Sequence, residues 1–248
     1  MGGRIKLKLV GTGSMGAFSR NASSLIDDHI LVDAGNGVIK TIGEQGDDWR
    51  RINAILITHL HLDHFLDLPS IIFAKQYDND ISPLTIYGPI GLIAALDAIM
   101  MASVDDVHDW HTKAKRLNMN FVEFSELSNF EVSPSYYVTS HLVDHGSLRP
   151  AYGYTISHSG KVVGFSGDSI YCSAINDIMA KSDIAVLDAA GVIPNKAHMS
   201  VFDIAALSDK YIDKTIVTTH MSDISRVRLM ELDLPNVIIP ADGREIAI

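Results

Sequence analysis

The stretch THLHLDHFLDLP, residues 58–69, contains three histidines and an aspartate within six consecutive positions. His59, His61, Asp63 and His64 directly follow INAILI, residues 52–57, an apolar run that predicts a buried β-strand. A tight turn at the end of a strand can bring such side chains to one point. Neutral imidazole and carboxylate are the ligands that zinc and similar divalent cations prefer. The spacing therefore indicates a metal site and not a chance cluster of surface histidines.

The stretches on the amino-terminal side of this motif support a family resemblance. RIKLKLV, residues 4–10, alternates polar and apolar residues as a half-buried strand does, and GTGSMG follows it without the lysine of a nucleotide-binding loop. RNASS, residues 20–24, and HILVDAG, residues 29–35, come next. Together with the HxHxDH pattern of residues 59–64, they resemble the metallo-β-lactamase fold hydrolases. FLDLP, residues 65–69, is similar to the GLP ending in the branch that contains tRNase Z and related phosphodiesterases.

The resemblance implies an α/β fold, the αββα sandwich, in which two packed mixed β-sheets are flanked by helices. Strand and helix patterns occur in both halves of the chain, and no linker, repeat or low-complexity segment interrupts them. We therefore expect residues 1–248 to form a single domain. FEVSPSYYVTSH, residues 130–141, predicts a strand that ends at His141, and residues 151–169 predict a hairpin that turns at residues 158–160.

The resemblance also implies a dinuclear centre of two divalent ions, zinc first, with manganese or iron as alternatives. Its ligands follow predicted strands in both halves of the chain. One ion would be held by His59, His61 and His141, the second by Asp63, His64 and His220, and both by the bridging Asp168. Two such ions lower the pKa of a bridging water, which supplies hydroxide as the nucleophile at neutral pH.

Four further carboxylates and histidines have roles that the resemblance implies. Asp63 would accept a proton from the attacking water, and Asp33 would orient an imidazole ligand or else serve as a turn residue. His198, in KAHMS, resembles a histidine that approaches the scissile phosphate in the tRNase Z branch, and Asp188 would orient it. Aspartate replaces the glutamate of that branch here. The alternative for His198 is a place in the capping region of the following helix.

The composition bounds the cellular context and the partners. The chain has 248 residues, a formal net charge of −10 and one cysteine, Cys172, so an intrachain disulfide is excluded. The amino terminus has no apolar core of a signal peptide, and the longest apolar run, residues 90–102, contains Asp97 and is too short to cross a membrane. We expect a cytoplasmic protein without a membrane partner. The acidic charge disfavours nucleic acid as a partner, and the sequence leaves open whether the chain forms a homodimer.

The resemblance favours a phosphodiesterase that hydrolyses small diesters, including molecules like cyclic nucleotides, because His198 matches that branch. Hydrolysis of a carbonyl ester, lactone or thioester is the alternative, since the same metals can polarise a carbonyl oxygen. A tRNA 3′ endonuclease is disfavoured, because the segment between His141 and Asp168 has no room for a tRNA-grasping arm. A non-catalytic metal-binding module would be expected to lack a ligand, and none is missing.

Overall fold

Two seven-stranded β-sheets form the centre of the molecule. The computed structural model describes residues 4–102, 107–125 and 129–248. The first sheet contains β1 (Lys6–Gly11), β2 (Ser23–Ile26), β3 (Ile30–Val32), β4 (Ala54–Leu56), β5 (Leu84–Pro89), β6 (Met119–Phe124) and β14 (Arg244–Ala247). The second contains β7 (Asn129–Ser133), β8 (Tyr136–His145), β9 (Leu148–His158), β10 (Lys161–Phe165), β11 (Ile184–Asp188), β12 (Thr215–Thr219) and β13 (Val237–Ile238).

Helices cover the outer face of each sheet. They are α1 (Val38–Glu44), α2 (Leu62–Phe65), α3 (Leu68–Asp78), α4 (Leu92–Met100), α5 (Val107–Arg116), α6 (Ser173–Lys181), α7 (Val201–Lys210) and α8 (Asp223–Leu232). Apolar side chains of α1 to α5 pack on the first sheet, and those of α6 to α8 pack on the second. A third apolar cluster lies between the sheets, where Leu7 and Leu56 meet Tyr154 and Val186. These layers confirm the predicted αββα sandwich.

Parallel pairing explains why the predicted ligands lie at one edge of the sandwich. Strands β3 to β6 are parallel in the first sheet, and β10 to β13 are parallel in the second. Side chains that follow the carboxyl ends of neighbouring parallel strands meet at the same edge, the usual place for a site in such sheets. The segments after β4, β10, β11 and β12 all reach this edge.

The strand predicted for residues 130–141 is wrong in its extent. The structure divides this region into β7 and β8 with a turn at residues 134–135, and β8 continues past His141 to His145. Gly146 and Ser147 then form the two-residue turn into β9, and Gly146 has the positive φ of 59° that such turns require. The hairpin predicted for residues 151–169 is confirmed as β9 and β10.

Candidate metal centre

The loop after β4 is held in place by Asp33, which follows β3. One carboxylate oxygen of Asp33 accepts a hydrogen bond from the backbone N–H of Thr58 at 2.8 Å, and the other lies 2.8 Å from Nδ1 of His64. This contact leaves Nε2 of His64 as the nitrogen directed at the cluster, the arrangement expected for an oriented metal ligand. Gly35 contacts the same loop, because a Cβ atom at this position would overlap the carbonyl oxygen of Asp63.

A first group of four side chains brings its donor atoms together. Nδ1 of His61 lies 3.0 Å from Nε2 of His59 and 3.1 Å from Nε2 of His145. Oδ2 of Asp168 lies 3.7 Å from the His59 nitrogen and 3.9 Å from the His145 nitrogen. Tetrahedral zinc with bonds of 2.0–2.1 Å separates its ligand atoms by about 3.3 Å. The four donor atoms therefore have the spacing of a metal site.

The structure does not bring His141 to this group, and His145 takes the position expected of it. His141 lies within β8, where its Nε2 is 3.1 Å from Oγ1 of Thr155 on β9. Burial, together with the positive charge of Lys181 on α6, lowers the pKa of His141 to about 4. His141 thus lies on the side of the second sheet that faces α6. The expectation failed because β8 runs four residues further before it reaches the edge of the sheet.

A second group contains Asp63, His64 and His220, and it shares Asp168 with the first. Oδ2 of Asp168 lies 3.3 Å from Nε2 of His64 and 3.4 Å from Nε2 of His220. Oδ2 of Asp63 lies 3.1 Å from the same His220 nitrogen and 3.7 Å from that of His64. One carboxylate oxygen of Asp168 is thus within 4 Å of nitrogens in both groups. That position fits the expected bridging ligand.

Buried atoms without partners provide an independent test of whether the residues fit a metal. Nε2 of His64 is buried and has no hydrogen-bond partner among the described residues, although it faces two carboxylates. An unpartnered buried polar atom is costly unless a bound group satisfies it. The donor set of imidazoles and carboxylates is one that borderline divalent cations accept. The residues therefore fit a pair of divalent ions.

The electrostatics of the cluster favour positive charge. Burial is the largest single influence on His220 and opposes its charged form, but Asp168, Asp188 and Asp63 together outweigh burial and raise the pKa of this imidazole to about 10. The pKa of the Asp168 carboxyl is held well below its usual range, because His220 and His64 overcome the effect of burial. The carboxylates thus stabilise positive charge in a buried site, and bound divalent ions supply such charge.

The left-handed backbone of His220, with φ at 52°, adds local strain of the kind found at functional sites.

Beside the cluster, His198 contacts the buried Asp188. Nδ1 of His198 lies 2.9 Å from Oδ2 of Asp188. The backbone N–H groups of Ser169 and Ala190 also donate to this carboxylate, at 3.1 Å and 3.0 Å, and fix its position. Burial lowers the pKa of His198, but Asp188 overcomes this effect and the net pKa is raised. The alternative, in which His198 merely belongs to a helix cap, fails because Ser200 and Asp203 form the capping box of α7.

The loop that carries His198 is anchored on both sides. Oδ1 of Asn195 accepts hydrogen bonds from the backbone N–H groups of Ala197 and His198, both at 2.8 Å. Nδ1 of His145 donates to the carbonyl oxygen of Ala197 at 2.7 Å. A candidate metal ligand therefore also positions the neighbouring loop. Neither Asn195 nor His145 was predicted from the sequence, although the Gly–Ser turn signal after His145 marks the true end of the strand.

A cavity of about 800 Å³ opens beside the metal cluster. His61, His145 and His198 lie at its metal end. Its size is within the range of small-molecule sites, which hold ligands larger than a single phosphate group. The arrangement can therefore place a small substrate against both the candidate metal ligands and His198.

Two packed sheets with histidine and aspartate side chains at one edge define the class of metal-dependent hydrolases with an αββα sandwich. The model of the Beta-lactamase superfamily domain matches residues 28–221, and the chain belongs to this family. Ribonuclease Z of Mycolicibacterium gilvum is 30% identical in an alignment 195 positions long, which covers 71% of this chain and 65% of that protein. The chain thus spans just under two thirds of the length of this relative.

Solved structures show the same fold at low sequence identity. The metallo-β-lactamase fold protein YhfI from Bacillus subtilis has a TM-score of 0.77 and 17% identity, with 99% of this chain and 100% of that chain covered. A structure described as a new diphosphatase from the PhnP family has a TM-score of 0.77 and 18% identity, with 98% of this chain and 97% of that chain covered.

In the part of the chain that the structure describes, no helix has the length and apolar character needed to cross a bilayer.

Proposed function

We propose that the chain is a dinuclear metal-dependent phosphodiesterase that hydrolyses small phosphodiesters. The observation that carries this proposal is the hydrogen bond between His198 and the buried Asp188, at the wall of the cavity and next to the metal cluster. An oriented imidazole beside the metals can protonate the alcohol that leaves a phosphodiester. The ring centres of His198 and His145 lie 5.0 Å apart, so one substrate can contact both His198 and the metal cluster.

The residues that would hold the two ions differ in one position from the set expected from the sequence. One ion would be held by His59, His61, His145 and Asp168, and the other by Asp63, His64, His220 and the same Asp168. When bound, a pair of divalent ions polarises a phosphoryl oxygen and lowers the pKa of water, so that a nucleophile forms at neutral pH. Zinc suits this set of imidazoles and carboxylates, and manganese and iron also accept it.

The chain's own residues supply the proton transfers. Asp188 occupies Nδ1 of His198, which leaves Nε2 to donate a proton to the leaving oxygen or to bind a phosphate oxygen. Asp63 faces the cluster through Oδ2 and accepts a proton from the attacking water. The His145 to Ala197 hydrogen bond keeps His198 at a fixed distance from the metal ligands, and such positioning contributes to the rate.

Small diesters are favoured over tRNA by the chain between His145 and Asp168. This segment consists of the β9–β10 hairpin with short turns, and it contains no extended arm for a long polyanion. The net charge of −10 also opposes nucleic acid. Cleavage of precursor tRNA is a second candidate because the Mycolicibacterium gilvum relative is a ribonuclease Z. Carbonyl-ester hydrolysis is a further alternative, because the same ions can polarise a carbonyl oxygen and His198 can protonate an alkoxide in either reaction. The phosphodiester is preferred because His198 can also bind a phosphate oxygen, which a carbonyl ester does not offer.

A substrate panel with matched variants tests the proposal. The metal-loaded protein is assayed with bis(4-nitrophenyl) phosphate, a cyclic nucleotide, a lactone and precursor tRNA. We expect hydrolysis of the small diesters, and we expect His198→Ala to lower kcat by about 100-fold or more while metal content is unchanged. His158→Ala is the control, because His158 lies at the end of β9 and stacks on Tyr136 outside the site. Lactone turnover that is indifferent to His198 would refute the assignment.

A further inference from the structure

The cavity extends beyond the metal ligands into a region with its own chemistry. Two segments build this outer region, the turn between β8 and β9 and the loop that precedes His198. Leu148 and Ile170 give it apolar surface. A diester that placed its scissile phosphate at His61 and His145 would extend the rest of its body into this outer region.

Two basic side chains line the outer region, and they come from different segments. Arg149 follows the β8–β9 turn, and Lys196 lies in the loop before His198. Among the described residues that line the cavity, they are the basic side chains besides the histidines. Asp144 also lines the cavity, so this region has two basic side chains and one acidic side chain in a chain with a net charge of −10.

Most of the donor capacity of these two groups is free for a ligand. One terminal nitrogen of Arg149 contacts Oδ1 of Asp144 at 3.0 Å, and this pair is largely exposed, so it is weak. The remaining guanidinium donors of Arg149, and the ammonium group of Lys196, have no hydrogen-bond or ion-pair partner in the part of the chain that the structure describes. Arginine and lysine side chains whose donors have no partner within the protein are suited to bind phosphate oxygens.

The backbone that carries Lys196 is held in a defined position. Asn195 accepts from the two N–H groups that follow Lys196, and His145 donates to the carbonyl of Ala197. The carbonyl oxygen of Lys196 also lies against Gly146, where a Cβ atom would be 3.1 Å from it. The backbone from which the Lys196 side chain extends is thus anchored relative to the metal ligands, which lowers part of the entropy cost of binding.

We propose that Arg149 and Lys196 form a subsite for a second phosphate group, a phosphate monoester on the same small molecule as the scissile diester. This inference rests on the proposed function, since it assigns the diester to the metal end of the cavity. The preferred substrate class is then a small diester that carries a separate terminal phosphate. A terminal phosphate has nearly two negative charges and three acceptor oxygens, which match one guanidinium and one ammonium group.

Equilibrium binding to the metal-loaded protein tests the subsite without any need for turnover. Calorimetry compares thymidine 3′,5′-bisphosphate with thymidine 5′-monophosphate, two probes that differ by one phosphate. We expect the bisphosphate to bind roughly tenfold or more tightly, and we expect Arg149→Ala combined with Lys196→Ala to bring the ratio of the two Kd values near one. Lys40→Ala is the control, because Lys40 is an exposed residue of α1 that does not line the cavity.

Hydrolysis of a second matched pair separates this inference from the proposed function. The pair is thymidine 5′-(4-nitrophenyl phosphate) with and without a 3′-phosphate, and the readout is the ratio of kcat/KM for the two diesters within each protein. Failure to hydrolyse either diester overturns the proposed function. A ratio of Kd values near one in the wild-type protein, or a ratio that the double variant retains, overturns the subsite. Single Arg149→Lys and Lys196→Arg variants should keep the preference, because they keep the charge.

Discussion

Replacing His145 with alanine should weaken metal binding at the first group strongly while the fold persists. The side chain is buried, and its Nε2 is one of the donor atoms that meet near His61 and Asp168. Removal of a residue that merely contacts a metal ligand costs about 10- to 100-fold in metal affinity. Loss of a direct donor should cost at least the upper figure, about 100-fold, or about 2.7 kcal/mol of binding free energy.

The same substitution should also loosen the loop that carries His198. The hydrogen bond from Nδ1 of His145 to the carbonyl of Ala197 disappears with the side chain. We therefore expect kcat to fall even at metal concentrations high enough to refill the site. This second effect separates His145 from a ligand that serves the metal alone.

His141→Ala is the matched control, because both residues are buried histidines of β8. His141 contacts Thr155 and not the cluster, so its loss should leave metal content unchanged. Its removal leaves the Thr155 hydroxyl without this partner inside the protein, which should lower the free energy of unfolding by roughly 1–3 kcal/mol.

The assay is elemental analysis after dialysis against buffered free zinc, with urea unfolding in parallel. His145→Ala should retain less metal than the wild-type protein at every zinc level below saturation, and His141→Ala should follow the wild-type curve. The reverse pattern, with metal lost from His141→Ala and retained by His145→Ala, would refute the assignment of His145 as the ligand and favour His141.

Three further expectations concern residues around the cluster. Asp33→Ala should weaken zinc binding by about 10- to 100-fold in a competition assay, because it frees the His64 ring; an unchanged affinity would remove Asp33 from the site. Asn195→Ala should lower kcat by roughly tenfold through a misplaced His198, and Asn195→Asp should restore it by keeping the acceptor oxygen; a failure of that rescue would contradict the positioning role. Because the pKa of His141 is lowered to about 4, the unfolded chain binds a proton that the folded chain rejects as pH falls from about 6.5 to 4. Stability should therefore decline over this interval with chelator present, and urea unfolding at pH 7 and pH 4.5 should show a smaller decline for His141→Ala.

Local sequence predicted the part of the site that depends on short-range order. The spacing of His59, His61, Asp63 and His64 places these side chains on one turn after a strand, and the structure brings their donor atoms together. The strand before Asp168 and the strand before His220 were also short apolar runs that end in polar residues. Parallel pairing of these strands then decides that their ends meet, and a resemblance to a known fold was needed to expect that pairing.

The choice between His141 and His145 depends on where β8 ends, which apolar periodicity determines poorly. In a regular strand, two positions four residues apart lie on the same face, so the alternation of apolar and polar residues does not distinguish His141 from His145. The pairing of β8 with β9 shifts register between Val143 and His145, and such an irregularity re-aims side chains next to a site. The two-residue turn at Gly146 and Ser147 was the decisive local signal, since a hairpin turn fixes the strand end.

The candidate ligands come from both sheets, so the packing of one sheet on the other determines the geometry of the metal centre. The backbone N–H of Tyr152 on β9 donates to the carbonyl of Thr58 at 2.9 Å, and the hydroxyl of Tyr154 donates to the carbonyl of Ile57 at 2.6 Å. Both tyrosines are fully buried, and both acceptors immediately precede His59. Gly167, which precedes Asp168, packs against Thr58, where a Cβ atom would lie 3.1 Å from the threonine Cβ. The distance between the two halves of the site is therefore set by buried hydrogen bonds and backbone contacts that form with the core. This explains how ligands far apart in the sequence can be positioned before any metal binds, as a catalytic site with a short, defined donor spacing requires.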